Sequence, residues 1–161
     1  MLGRRRKGSR WAAIFAEDLI AGCEQLFAAY QGEDELALPI SIPIDEHGLV
    51  LLRPEGPLNA PRVPATMAVT RQAAGSFAVR LERRDGGRML IPGLRDERSG
   101  EAAPAVLGAL GVTLTPRGLD LAGSGPDGQP VPLRFDEPAA RALATALFIT
   151  IRMKLAKAPR P

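Results

Sequence analysis

A chain of 161 residues with 45% hydrophobic and 24% charged residues can bury one ordinary core and is too apolar to remain disordered. Its single cysteine, Cys23, and single histidine, His47, exclude an internal disulfide framework and a zinc site built from Cys and His. Net charge is +3, but Arg4, Arg5, Arg6, Lys7, Arg10, Arg152, Lys154, Lys157 and Arg160 put nine positive charges at the two ends and leave the body at −6. Basic ends on an acidic body point toward phosphates, anionic lipid or an acidic partner, or toward tails that are simply solvated.

Residues 1–10 read as a flexible basic arm. From Trp11 to Tyr30 the spacing predicts a helix, with Trp11, Phe15, Leu19, Cys23, Leu26 and Tyr30 on one face and Glu17 and Glu24 opposite. Ile20-Ala21-Gly22-Cys23 resembles the lipobox of bacterial lipoproteins, and the arginines before it resemble a signal n-region. Glu17 and Asp18, however, fall where that reading needs an apolar segment, so a buried cysteine on an amphipathic helix is the better account. No apolar run approaches the ~20 residues that span a bilayer.

Leu36, Leu38, Ile40, Ile42 and Ile44 alternate with Ala37, Pro39, Ser41, Pro43 and Asp45, the period of a strand. Pro39 and Pro43 share one parity, so their missing N–H groups face one side, which predicts an edge strand. A turn at 45–48 leads to a second strand, Leu49 to Arg53, and the prolines from Pro54 to Pro64 predict an extended loop. Strands follow at Thr66–Arg71 and Ser76–Arg83. The Arg84-Asp85-Gly86-Gly87 turn then predicts a hairpin returning through Met89 and Ile91. Leu94–Gly100 reads as a charged loop and Glu101–Leu110 as a short helix. Val112–Thr115 and Leu119–Leu121 read as a hairpin, and 123–128 as a glycine-rich turn. A strand over Val131, Leu133 and Phe135 comes next. Asp136 then caps a helix in which Leu143, Leu147, Ile151 and Leu155 recur every four residues.

The expected fold is α+β: a curved antiparallel sheet of about six to eight short strands, close to typical sheet size, packed against an N-terminal and a C-terminal amphipathic helix. Residues 11–157 form the expected domain, with 158–161 as a C-terminal tail.

Chemistry-bearing patterns are few. Residues 123–128 match G-x-G-x-x-G, but a strand rather than a helix follows and Pro126 removes an amide, so a surface turn is expected. Asp120-Leu-Ala-Gly-Ser-Gly125 resembles the D-x-S-x-x-G half of the PilZ motif, with Ala122 in the serine position and Arg6 and Arg10 standing for the R-x-x-x-R half. That resemblance implies a small ligand-sensing domain for cyclic dinucleotides, with Arg6, Arg10 and Asp120 converging on one groove. His47 lies beside Asp45 and Glu46 in a turn, where neighbours do not converge. Asp96 and Glu97 sit among arginines as a solvated cluster. Cys23 on an apolar face lacks the electropositive setting of a reactive thiol. Arg80, Arg83, Arg84 and Arg88 gather near the expected central hairpin without aromatics for base stacking.

No catalytic, cofactor-binding or metal-binding residues are assigned. The C-terminal helix carries more apolar surface than one sheet contact needs. Ala146, Ile149 and Met153 form a second strip beside the main stripe, and burying each large member is worth about 1.5–3 kcal/mol. The expected function is a non-catalytic, cytoplasmic protein-binding or assembly protein acting through this helix face, its partner another protein or a second copy. The alternative to it and to ligand sensing is an accessory role on nucleic acid or anionic membrane, through Arg4, Arg5, Arg6, Lys7 and Arg10.

Overall fold

Period-two alternation dominates the chain, and the computed structural model builds it into two sheets and two helices. The structure describes residues 9–52, 61–98 and 103–159, without the side chains of 9–14 and 74. Helix α1 (Ser9–Ala29) is followed by β1 (Glu35–Pro43), β2 (Arg62–Gln72), a 3-10 turn (Ala73–Gly75), β3 (Ser76–Arg83), β4 (Met89–Asp96), β5 (Pro104–Leu107), β6 (Ala109–Thr115), β7 (Gly118–Ser124), β8 (Pro130–Val131), β9 (Leu133–Phe135) and α2 (Glu137–Ala156). One sheet has six strands in the order β1-β2-β3-β6-β7-β8, the other three in the order β5-β4-β9. Every pair of named strands is antiparallel. The α+β arrangement expected from the sequence is the one found.

Alternation sets which face of the larger sheet is covered. Leu36, Leu38 and Ile42 of β1, Ala65, Met67 and Val69 of β2, Phe77 and Val79 of β3, and Leu110, Val112 and Leu114 of β6 are all buried on the face that α1 covers. Their neighbours, among them Pro39, Arg80 and Asp120, are exposed on the other face. Helix α1 packs on β3, β6, β7 and α2, while α2 packs on α1 and β4. Along α1, Leu19, Cys23, Leu26 and Phe27 are fully or almost fully buried. Along α2, Ala140, Leu143, Ala144, Leu147 and Ile151 are buried, while Phe148 and Leu155 pack at its margin. Asp136 accepts the Ala139 N–H at 2.9 Å and closes the N-terminus of α2. At the other end the Tyr30 hydroxyl donates to the Lys154 carbonyl at 2.6 Å, tying the exit of α1 to the last turns of α2.

Several local expectations are overturned. The turn at 84–87 exists, but β3 and β4 do not pair as a hairpin. Strand β3 instead pairs with β6, where Phe77, Val79 and Leu81 oppose Leu114, Val112 and Leu110. Strand β4 cannot supply such an unbroken ladder, because Pro92 lacks an N–H and Gly93 adopts a φ of 82°. Its register shifts between Leu90 and Arg95, and it moves into the smaller sheet. The expected helix over 101–110 is strand at 104–107 and 109–110, with a bend at Gly108 between them. Pro104 and Val106 are exposed while Ala105 and Leu107 are buried, so period two prevails over the helix propensity of Ala and Leu. The expected strand at 49–53 reduces to isolated bridges at Leu49 and Val50, with Arg53 outside the described residues. Of the proline loop, residues 62–64 belong to β2, and of the charged loop, 94–96 belong to β4. The strand over 131–135 is two strands: it breaks at Pro132, so that β8 pairs with β7 and β9 with β4.

Candidate functional site

Pro39 and Pro43 make β1 an edge strand, and the chain closes that edge in an unusual way. Antiparallel residues send N–H and C=O to the same side, so Pro39, Ser41 and Pro43 all face away from β2. The Pro39 carbonyl accepts Lys154 Nζ at 2.8 Å. The Pro43 carbonyl accepts the Leu51 N–H at 2.9 Å. A segment from α2 and a segment from the 49–52 loop are thereby held against the edge, and between them opens a cleft of about 440 Å³.

The walls of this cleft are mostly aliphatic. Leu143, Ala146, Leu147, Ile149, Thr150 and Met153 of α2 form one wall, and β1 with Val50, Leu51 and Leu52 forms the other. Leu81, Met89, Ile91 and Leu110 bring in strands β3, β4 and β6, so the cleft reaches the core. The three α2 residues expected as an interface, Ala146, Ile149 and Met153, therefore share one wall. Met153 is 48% exposed, one of the two large exposed hydrophobic side chains among the described residues. The hydroxyls here are engaged: Thr150 Oγ1 donates to the Ala146 carbonyl at 2.8 Å, and Ser41 Oγ accepts Arg62 Nε at 2.8 Å. Arg62 and Lys157 also line the cleft, and among the described residues no acidic side chain does. The arrangement can take up apolar groups and hold an anionic group beside them; among the described residues no histidine, cysteine or carboxylate lines it.

The remaining candidates are dispersed. Arg4, Arg5, Arg6 and Lys7 lie outside the described residues, as does the side chain of Arg10. Asp120 is exposed on β7 opposite Thr113, on the face of the sheet away from α1. The 123–128 run ends β7 and forms a turn closed by Gly125 N–H to the Gln129 carbonyl at 2.8 Å. His47 is exposed, with its ring 3.4 Å from Glu46. Asp45 accepts the Leu49 and His47 N–H groups, and the Leu49 bond above all holds its carboxyl below the usual range. Asp96 is likewise held low, first by the Arg98 side chain, and Asp85 by Arg83. These are solvent-facing turn closures, and they are remote in role from the cleft. Among the described residues no group of three or more His, Cys, Asp or Glu side chains could hold a metal ion, and no polar or charged residue is buried.

Cys23 lies inside the core, and burial pushes its thiol up to about 12. Since the folded value lies above the ordinary one of 9.0, the native state keeps a proton that the unfolded chain loses. The resulting stabilisation is complete below pH 9 and is lost as pH rises toward about 12. The expected outcome is a Cys23 that a thiol reagent such as DTNB modifies only on unfolding, with a Cys23→Ser chain showing a flatter loss of stability above pH 9. Rapid native-state labelling at pH 8 would contradict this.

Sequence reasoning located the α2 strip by helical spacing but missed the opposite wall. Leu51, Leu52, Met89 and Leu110 are separated from it by 36 to 102 positions in the chain, and no periodic pattern links such distances. No helix among the described residues is long and apolar enough to cross a membrane. Compared with protein-family models, curated proteins and solved structures, the chain gives no match to any of them.

Proposed function

We propose that this is a non-catalytic cytoplasmic binding or assembly protein whose working surface is the cleft between α2 and the β1 edge, and whose partner is another protein. The observation that carries the reading is the position of Ala146, Ile149 and Met153 on one wall of an apolar cleft of about 440 Å³. Apolar surface left open in this way is paid for when a partner covers it, at about 1.5–3 kcal/mol for each large side chain fully buried. The polar chemistry of the cleft supports binding over catalysis, because its hydroxyls are already bonded and its charges are cations at the rim.

The test is the double variant Ile149→Glu, Met153→Glu. Neither residue belongs to the buried core, so thermal unfolding should shift by no more than a few degrees. Affinity capture from the source cell should retain a specific partner with the native chain and lose it with the variant. An identical set of captured proteins would remove the α2 face from consideration, and outright unfolding would place the two residues in the core instead.

A further inference from the structure

We infer that the element received by the cleft is an amphipathic helix whose apolar anchors are flanked by acidic residues; this deepens the protein-binding reading and rests on it. An extended peptide ordinarily joins such a site by adding a strand to the free edge. Beside the cleft, from Pro39 to Pro43, that edge is closed. Pro39 and Pro43 have no N–H to offer, and their carbonyls are already taken by Lys154 and by Leu51. Ser41 alone among the three retains both backbone groups, too few for a ladder. A helix satisfies its own backbone and needs from its host only a groove for side chains at i, i+4 and i+7.

Charge selects among helices. Arg62 and Lys157 line the cleft, both exposed, and neither has an acidic partner among the described residues. Arg62 Nε donates to Ser41 Oγ, the one bond its side chain makes among the described residues, and its terminal N–H groups suit a carboxylate. Among the described residues no acid lines the cleft, so a basic helix would meet like charge from Arg62 and Lys157, whereas an acidic one gains two contacts and a faster encounter.

The experiment is selection of a displayed library of random peptides of about 16 residues on the full chain, followed by anisotropy with the labelled winners. The expected winners carry apolar residues at helical spacing with Asp or Glu beside them, and become helical on binding. Their affinity should fall at least tenfold with Arg62→Glu, Lys157→Glu, and be recovered on that variant by peptides with Lys in place of the acids. Selection of alternating, basic or uncharged sequences, or of none, would overturn the inference. If charge reversal is silent while Ile149→Glu, Met153→Glu abolishes binding, the acidic-helix inference fails and the cleft stands. If both variants bind unchanged, the cleft reading fails as well. Stoichiometric uptake of dodecanoate that no selected peptide displaces would overturn both.

Discussion

Replacing Phe77 with alanine is expected to destabilise the fold by about 3–5 kcal/mol, the range for removing a buried phenylalanine. Phe77 is fully buried and is the largest such side chain among the described residues. It sits where three elements meet: its strand pairs with β2 and β6, and its ring lies 5.6 Å from that of Phe27 on α1. Above the two rings the Arg71 guanidinium rests at 4.6 and 5.4 Å, steadied by a 2.7 Å ion pair to Glu24. Alanine would therefore leave a cavity between sheet and helix and remove the platform on which Arg71 lies. With a urea m-value of about 2 kcal/mol/M, the unfolding midpoint should fall by about 2 M. A loss below about 1 kcal/mol would mean that α1 closes onto the sheet and fills the space.

Gly93→Ala is the second large effect, expected at about 3 kcal/mol. Two separate costs combine: a non-glycine residue in the left-handed region is strained by about 1–3 kcal/mol, and overpacking adds about 1–3 kcal/mol. At Gly93 φ is 82°, and an added Cβ would overlap the methyl of Ala139 in the first turn of α2. Gly86 is the control, since its φ is 74° but a Cβ there meets nothing within 4 Å. Urea unfolding should show Gly86→Ala losing only the strain and Gly93→Ala losing clearly more. Equal losses would show that the close approach of α2 to β4 yields at little cost. Because α2 also forms one wall of the cleft, Gly93→Ala should weaken peptide binding there even in chains that remain folded.

These two substitutions differ from Ile149→Glu, Met153→Glu in the way that core differs from surface. Helix spacing identifies both classes on α2. Leu143, Leu147 and Ile151 are buried as their four-residue recurrence implies, while Ile149 and Met153 fall outside that stripe. What spacing could not show is whether a neighbour covers the second strip. The answer depends on how α2 is held: Lys154 reaches the Pro39 carbonyl of β1, Tyr30 binds the Lys154 carbonyl, and the missing Cβ at Gly93 admits the first turn of α2 beside β4.

Local grammar determined the elements whose signals are short-ranged: α2 with its Asp136 cap, the alternation of β1, β3 and β6, the tight hairpin between β6 and β7, and the proline-marked edge. Each rests on residues a few positions apart, where period, capping and missing N–H groups act directly. Tertiary structure alone decided that β3 pairs with β6 and not with β4, that 104–107 is strand, and that Pro132 divides one strand between two sheets. Pairing partners are chosen by competition among several apolar faces for one core, and propensity yields to that burial. The cleft belongs to the same category. One wall was written in the helix period, and the other was assembled from segments far apart in the chain, which only the closed fold brings within contact of it.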